Sequence, residues 1–111
     1  MPKGEHLGEF EQLVLLAILR LGSDPNGMTI RQEIEATARR TVAIGSVYAA
    51  LERLESKGMV TSSYSAPAPG EGGKPRRRFR VERSAKAALA RSRDALTRMW
   101  DGVRLARGNP R

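Results

Sequence analysis

Cysteine is absent from this 111-residue sequence, which excludes a disulfide framework and thiolate chemistry. Histidine occurs once, as His6. A metal centre would therefore need carboxylates alone, and none are suitably clustered, so no metal site and no cofactor is expected. With one terminal histidine, no cysteine and no convergent carboxylate pair, there is no catalytic constellation, and the chain reads as a non-enzyme. Aromatic residues are scarce: one Trp, two Tyr and two Phe. No apolar run approaches the roughly 18 residues of a transmembrane helix, so no membrane partner is expected. The N-terminal residues show no apolar run bounded by a cleavage site, and the expected compartment is the cytoplasm.

What is abundant is positive charge, and it is unevenly placed. The formal net charge is +8. Residues 1–37 carry three basic and six acidic side chains, whereas residues 38–111 carry seventeen basic and six acidic ones. A basic half joined to a mildly acidic half points to a polyanionic partner. A chain of this length forms one domain whose core is small, so self-association would add stability.

The stretch Thr41–Val60, TVAIGSVYAALERLESKGMV, organises the rest. Val47, Leu51 and Leu54 recur at i, i+4 and i+7, placing them on one helical face. Ser46 is a candidate start, because its hydroxyl can accept from an orphan amide. Gly58 is a natural stop. Gly45, Ser46, Tyr48, Ala49, Ala50 and Arg53 make a small, weakly basic front suited to a major groove. Alanine methyls can touch thymine methyls there, and the Tyr48 hydroxyl can reach a phosphate. Glu52 and Glu55 are possible surface partners for Arg53.

Upstream, Glu9–Leu21 reads as a helix with Phe10, Leu13, Val14, Ala17 and Leu21 on one stripe. Leu15, Leu16, Ile18 and Leu19 make a second side apolar, so this helix should be covered twice, once by the domain core and once by a partner subunit. Asp24–Gly27 has turn chemistry. Thr29–Ala38 reads as the next helix, with Thr29 and Gln32 as a capping box. Three helices with a short connection before the third form a helix-turn-helix.

Downstream, Met59–Tyr64 reads as a strand and the Pro/Gly-rich residues 66–75 as a loop. Arg76–Val81 alternates as a second strand, with Arg77, Phe79 and Val81 on one face and Arg76, Arg78 and Arg80 on the other. A hairpin after the third helix is a wing. Lys74, Arg76, Arg77, Arg78 and Arg80 concentrate five cations in seven residues, as phosphate contact requires. The final helix should start at a Ser84 cap and run to about Ala106, roughly 33 Å. Leu89, Leu96, Met99, Trp100 and Val103 give it a near-heptad seam for pairing with a second copy, with Leu15 and Leu19 of the first helix contributing. Trp100, the sole tryptophan, could also stack on a planar ligand.

The fold class is therefore α+β, mostly α: a winged helix-turn-helix DNA-binding domain over residues 7–82, followed by a long dimerisation helix over residues 83–106. GEFEQLVLLAILRLG, GMTIRQEIE, IGSVYAALERLESKGMV and GGKPRRRFRV closely resemble the PadR-type transcriptional regulators, from about Leu7 to Leu105. The short length and single C-terminal helix resemble the compact branch of that family. The resemblance implies a homodimer whose C-terminal helices pack on the partner, operator binding to double-stranded DNA, repression as the usual outcome, and relief by small, often aromatic, effectors. It places Gly45, Ser46, Val47 and Tyr48 on the recognition helix and Lys74, Arg76, Arg77 and Arg78 in the wing. The alternative is a protein-interaction winged-helix module without sequence-specific DNA binding.

Overall fold

The computed structural model describes residues 6–66 and 75–105. Lys74, Ala106 and most of the expected 66–75 loop lie outside them. The elements run α1 (Glu9–Leu21), α2 (Gly27–Ala38), α3 (Ile44–Ser56), β1 (Val60–Ser65), β2 (Arg76–Val81) and α4 (Arg83–Trp100). Among the described residues there are four helices and one two-stranded antiparallel sheet, the winged helix-turn-helix class.

The helices start where local hydrogen bonding is best satisfied, and this corrects three expected caps. Helix α2 begins two residues before Thr29, because the Asn26 side chain accepts from the Thr29 amide and from its hydroxyl, both at 2.9 Å. Asn26 is thus the cap, and no Thr29–Gln32 box is needed. Helix α3 already includes Ile44: the Ser46 amide donates to the Ala43 carbonyl at 3.0 Å. Ser46 therefore lies inside the first turn, on the exposed face. Helix α4 follows Glu82 with no side-chain cap, while the Ser84 hydroxyl reaches the Gly58 carbonyl at 3.2 Å.

Helix α4 also stops sooner than its apolar spacing suggests. It ends at Trp100, and the Val103 amide folds back to the Trp100 carbonyl at 2.8 Å. Asp101 and Gly102 both rank low as helix formers, which accounts for the end. Its 18 residues span about 27 Å, and Val103 lies past the helix.

The core gathers one stripe from each element. Val14, Leu15 and Ile18 of α1 meet Ile30 and Ile34 of α2, Val47, Ala50, Leu51 and Leu54 of α3, and Ala85, Ala88 and Leu89 of α4. Ala50 is therefore a core residue and not part of the front face. Phe79 is fully buried at the centre of the hairpin contribution, worth about 1.5–3 kcal/mol of apolar transfer. The strands pair from Val60 opposite Val81 to Ser65 opposite Arg76. The hairpin is tied to the body by backbone bonds, Phe79 amide to Pro25 carbonyl at 3.0 Å and Glu82 amide to Met59 carbonyl at 2.9 Å.

Candidate nucleic-acid interface

Helix α3 buries Val47, Ala50, Leu51 and Leu54 and leaves Gly45, Ser46, Ala49, Glu52 and Arg53 exposed. The division follows from helical period: with the apolar stripe inward, the small residues at 45, 46 and 49 must face out. A shallow concavity of about 410 Å³ opens before them, bounded by Phe10, Arg40, Thr41, Ser46, Ala49 and Arg53. Arg40 and Thr41, on the connection from α2, thus join the face that α3 presents. The Arg39–Arg40 pair is a sequence signal for this. Arg39 closes α2 in the left-handed region, at φ 59°, which turns the chain sharply into α3. Arg40 is oriented by a two-pronged pair with Glu9 at 3.2 Å, and that guanidinium holds the Glu9 carboxyl below its ordinary range.

Tyr48 stands at the edge of this face, 37% exposed. Its ring lies 6.4 Å from the Phe79 ring and its outer half packs over Gly27, where any β-carbon would come within 2.5 Å of the Tyr48 ring. The hydroxyl end of the ring is thus held against the start of α2, while part of the side chain stays exposed.

Arg53 is not paired with its helical neighbours Glu52 and Glu55. It reaches across to Glu11 of α1 at 3.2 Å. Glu11 is 5% exposed, the one buried charged residue among those described, and sequence periodicity gave no hint of it. It accepts from the Lys57 ammonium at 2.9 and 3.0 Å and from the Gly8 amide at 2.9 Å. Burial alone would raise its pKa, but Lys57, Gly8 and Arg53 together outweigh this and keep the carboxyl below its ordinary value. The cluster joins the start of α1 to the last turn of α3.

The wing strand divides its arginines between two faces. Arg77 shares the inward face with Phe79 and Val81. Its guanidinium donates to Glu52 at 2.8 Å, Glu55 at 2.6 Å and the Ser62 hydroxyl at 3.2 Å. Its plane stands over the Phe79 ring at 5.0 Å. Glu52 foremost raises the Arg77 pKa, against a smaller opposing effect of burial. On the other face, Arg78 donates to the Ser65 hydroxyl at 3.0 Å and the Asp24 carbonyl at 3.4 Å. Arg80 pairs with the Asp24 carboxylate at 2.8 Å. Arg76 is exposed on that same face.

The expected dimer seam is split by burial. Leu15 and Leu89 are packed in the subunit's own core, which removes them from a partner surface. The residues left exposed are Leu16 and Leu19 on α1, then Leu96, Met99, Trp100 and Val103. On α1 the exposed side is offset by one residue from the expected one, with Leu15 buried and Leu16 exposed.

Comparison with known proteins agrees with this architecture. The transcriptional regulator PadR-like family matches residues 15–91, more than half of the chain. A PadR family transcriptional regulator from Eggerthella lenta superposes with a TM-score of 0.66 at 22% identity, covering 85% of this chain and 81% of that one. A PadR family regulator from Clostridium difficile gives 0.65 at 21% identity, covering 85% and 96%. A transcriptional regulator from Clostridium thermocellum gives 0.67 at 16% identity, covering 82% and 85%. No curated protein matches by sequence. Among the described residues, no helix is long and apolar enough to cross a membrane, and no group of histidine and carboxylate residues could hold a metal ion. On its family match and its fold, the chain belongs to the PadR-like transcriptional regulators, a family of transcription factors and not of enzymes.

Proposed function

We propose that this protein is a homodimeric, sequence-specific DNA-binding repressor acting in the cytoplasm. The observation that carries the reading is the junction of α3 and the wing. The exposed small face at Gly45, Ser46 and Ala49, with Tyr48 beside it, lies next to an arginine-rich strand bonded directly to α3 through Arg77. A major groove accepts the helix, and the wing's outward cations at Arg76 and Arg78 meet phosphates alongside it. Lys74, beyond the described residues, extends the same basic run. Residues 7–82 serve as the reading unit, and 83–106 as the pairing element.

The dimer brings two such faces together. The first half of α4 packs on its own body, and its second half presents Leu96 at 54%, Met99 at 74% and Trp100 at 53% exposure. Large apolar side chains concentrated on one projecting segment mark an interaction surface, and Leu16 and Leu19 supply a matching patch on α1. Two-fold pairing would set the recognition helices about 34 Å apart, one turn of DNA. A planar aromatic effector fits beside Trp100 at such a seam and would relieve repression by changing that spacing.

The test is selection of duplexes from random DNA by the full-length protein, followed by anisotropy titration between about 50 and 200 mM salt. Enrichment of an inverted-repeat site, bound in a salt-sensitive manner more tightly than scrambled duplex, is the expected result. Equal affinity for both, or no binding, would leave a protein-interaction module as the better reading. A reporter under the enriched site should fall in expression when the protein is present; a rise would make it an activator. Trp100 is the only tryptophan, so its fluorescence reports effector binding directly.

A further inference from the structure

We propose that Arg77 is a positioning residue of the DNA reader: a fork clamped by Glu52 and Glu55 that fixes the wing against α3, and not a phosphate contact. The inference rests on the DNA-binding reading above and assigns one wing arginine a separate task.

Three observations carry it. The first is direction. Arg77 lies on the strand face that holds Phe79 and Val81, its side chain is only 24% exposed, and the guanidinium covers the buried Phe79 ring. The second is engagement of all three guanidinium nitrogens. Its Nη1, Nη2 and Nε each have an acceptor, at 2.8, 2.6 and 3.2 Å. The acceptors are themselves linked, since the Ser62 hydroxyl donates to the second Glu55 oxygen at 2.9 Å. A planar guanidinium can satisfy two carboxylates and a hydroxyl at once, which a lysine ammonium cannot do in one plane. The third is the cost of release. Turning Arg77 toward a phosphate would break its bonds to both carboxylates and leave Glu52 and Glu55 without their cation on the helix proposed to face DNA. Two carboxylates beside a polyanion would then oppose binding. The clamp thus holds the wing at a set angle to the recognition helix and shields the helix's own acidic residues. The outward face of β2 is left to supply the phosphate contacts.

Discrimination between duplexes separates the two roles of the acidic pair. If the glutamates merely hold back a phosphate-binding arginine, Glu52→Gln with Glu55→Gln would tighten binding to enriched and scrambled duplexes alike. If they orient the wing, the same variant loses discrimination. Arg77→Lys is the sharpest single change, because it keeps the charge and loses the fork.

The experiment compares wild type, Arg77→Lys, Glu52→Gln/Glu55→Gln and Arg78→Ala on the duplex enriched from random DNA and on a scrambled duplex, across a salt series. Arg77→Lys should lower affinity for the enriched duplex about ten-fold, the size of a lost charge-assisted pair, with an unchanged salt slope. Arg78→Ala should flatten the slope by about one unit on either duplex. The double glutamine variant should lower the ratio of enriched to scrambled affinity. Amide hydrogen exchange on the free protein adds a readout without DNA: residues 77–81 should exchange several-fold faster in Arg77→Lys. Wild-type affinity for the enriched duplex in Arg77→Lys, an unchanged ratio of enriched to scrambled affinity in the double glutamine variant, or unchanged exchange would each overturn the proposal. If wild type enriches no duplex, the DNA-binding reading fails, and the exchange measurement still decides whether the clamp orders the wing.

Discussion

Gly27 and Tyr48 are fitted to one another across α2 and α3. A β-carbon at position 27 would sit 2.5 Å from the Tyr48 Cζ and 2.6 Å from its hydroxyl, closer than non-bonded atoms approach. The same ring lies 6.4 Å from the buried Phe79 ring, tilted by 58°. Gly27→Ala should push the ring outward, at an overpacking cost of about 1–3 kcal/mol. The Tyr48 hydroxyl would then leave its place at the edge of the reading face. The expected outcome is a modest fall in melting temperature with a drop in DNA affinity similar to that of Tyr48→Phe. Thermal melts and anisotropy on both variants check this. A Gly27→Ala protein that binds DNA as wild type would show that the hydroxyl position is unimportant.

Glu11 predicts an acid-sensitive link between α1 and α3. Lys57, Gly8 and Arg53 overcome the penalty of burial and lower its folded-state pKa below the ordinary 4.5. A carboxylate depressed on folding contributes stability that is complete above its unfolded pKa. That contribution is lost as pH falls from about 4.5 through the lower folded value. Glu11→Gln should remove about 1–3 kcal/mol at neutral pH, leaving the part-buried Lys57 without its counter-charge. Chemical denaturation at pH 7 and pH 3 checks this: the gap between wild type and variant should be wide at the first and narrow at the second. A gap that widens on acidification would contradict the assigned sign.

Legibility in the sequence follows the range of the interaction. Helix α1 and strand β2 begin and end where periodicity places them, because one apolar stripe and one clear alternation determine each. The end of α4 is missed because apolar spacing continues through Val103, whereas the low propensity of Asp101 and Gly102 acts on the backbone. The α2 start is missed by two residues because an asparagine cap competes with a plausible threonine one. The ionic contacts are least legible. Arg53 has Glu52 and Glu55 beside it in sequence, yet it binds Glu11, 42 residues away. Those glutamates take Arg77 instead, 25 and 22 residues away. One clue to Arg77 is already present in β2: its alternation puts Arg77 on the side of Phe79 and Val81, facing the body.

Gly58 closes α3 with φ 75°. The Gly58 amide bonds to the Glu55 carbonyl at 3.0 Å and the Met59 amide to the Leu54 carbonyl at 2.9 Å, so two otherwise orphaned acceptors depend on this conformation. Nothing crowds the α-carbon, so the effect of a side chain there is purely conformational. Gly58→Ala should cost about 1 kcal/mol through the left-handed backbone. Gly58→Asn should cost less. Denaturant midpoints for the two variants test the order, and a reversed order would mean that the turn relaxes to another conformation.

The projecting end of α4 carries the dimer proposal. Leu96 and Met99 touch little of their own subunit, so replacing them should spare the fold and act on association alone. Leu96→Glu with Met99→Glu places four carboxylates at a two-fold seam, where like charges would be desolvated together. Sedimentation at micromolar concentration should shift from a dimer to a 12.2 kDa monomer, while the circular dichroism of the helices is retained. DNA affinity should fall far more on a two-half-site duplex than on a single half-site, because pairing acts through effective concentration and not through new contacts. Equal loss on both duplexes would place these side chains at the DNA face and not at the seam. Wild type sedimenting as a monomer at the same concentration would remove the two-fold reader itself.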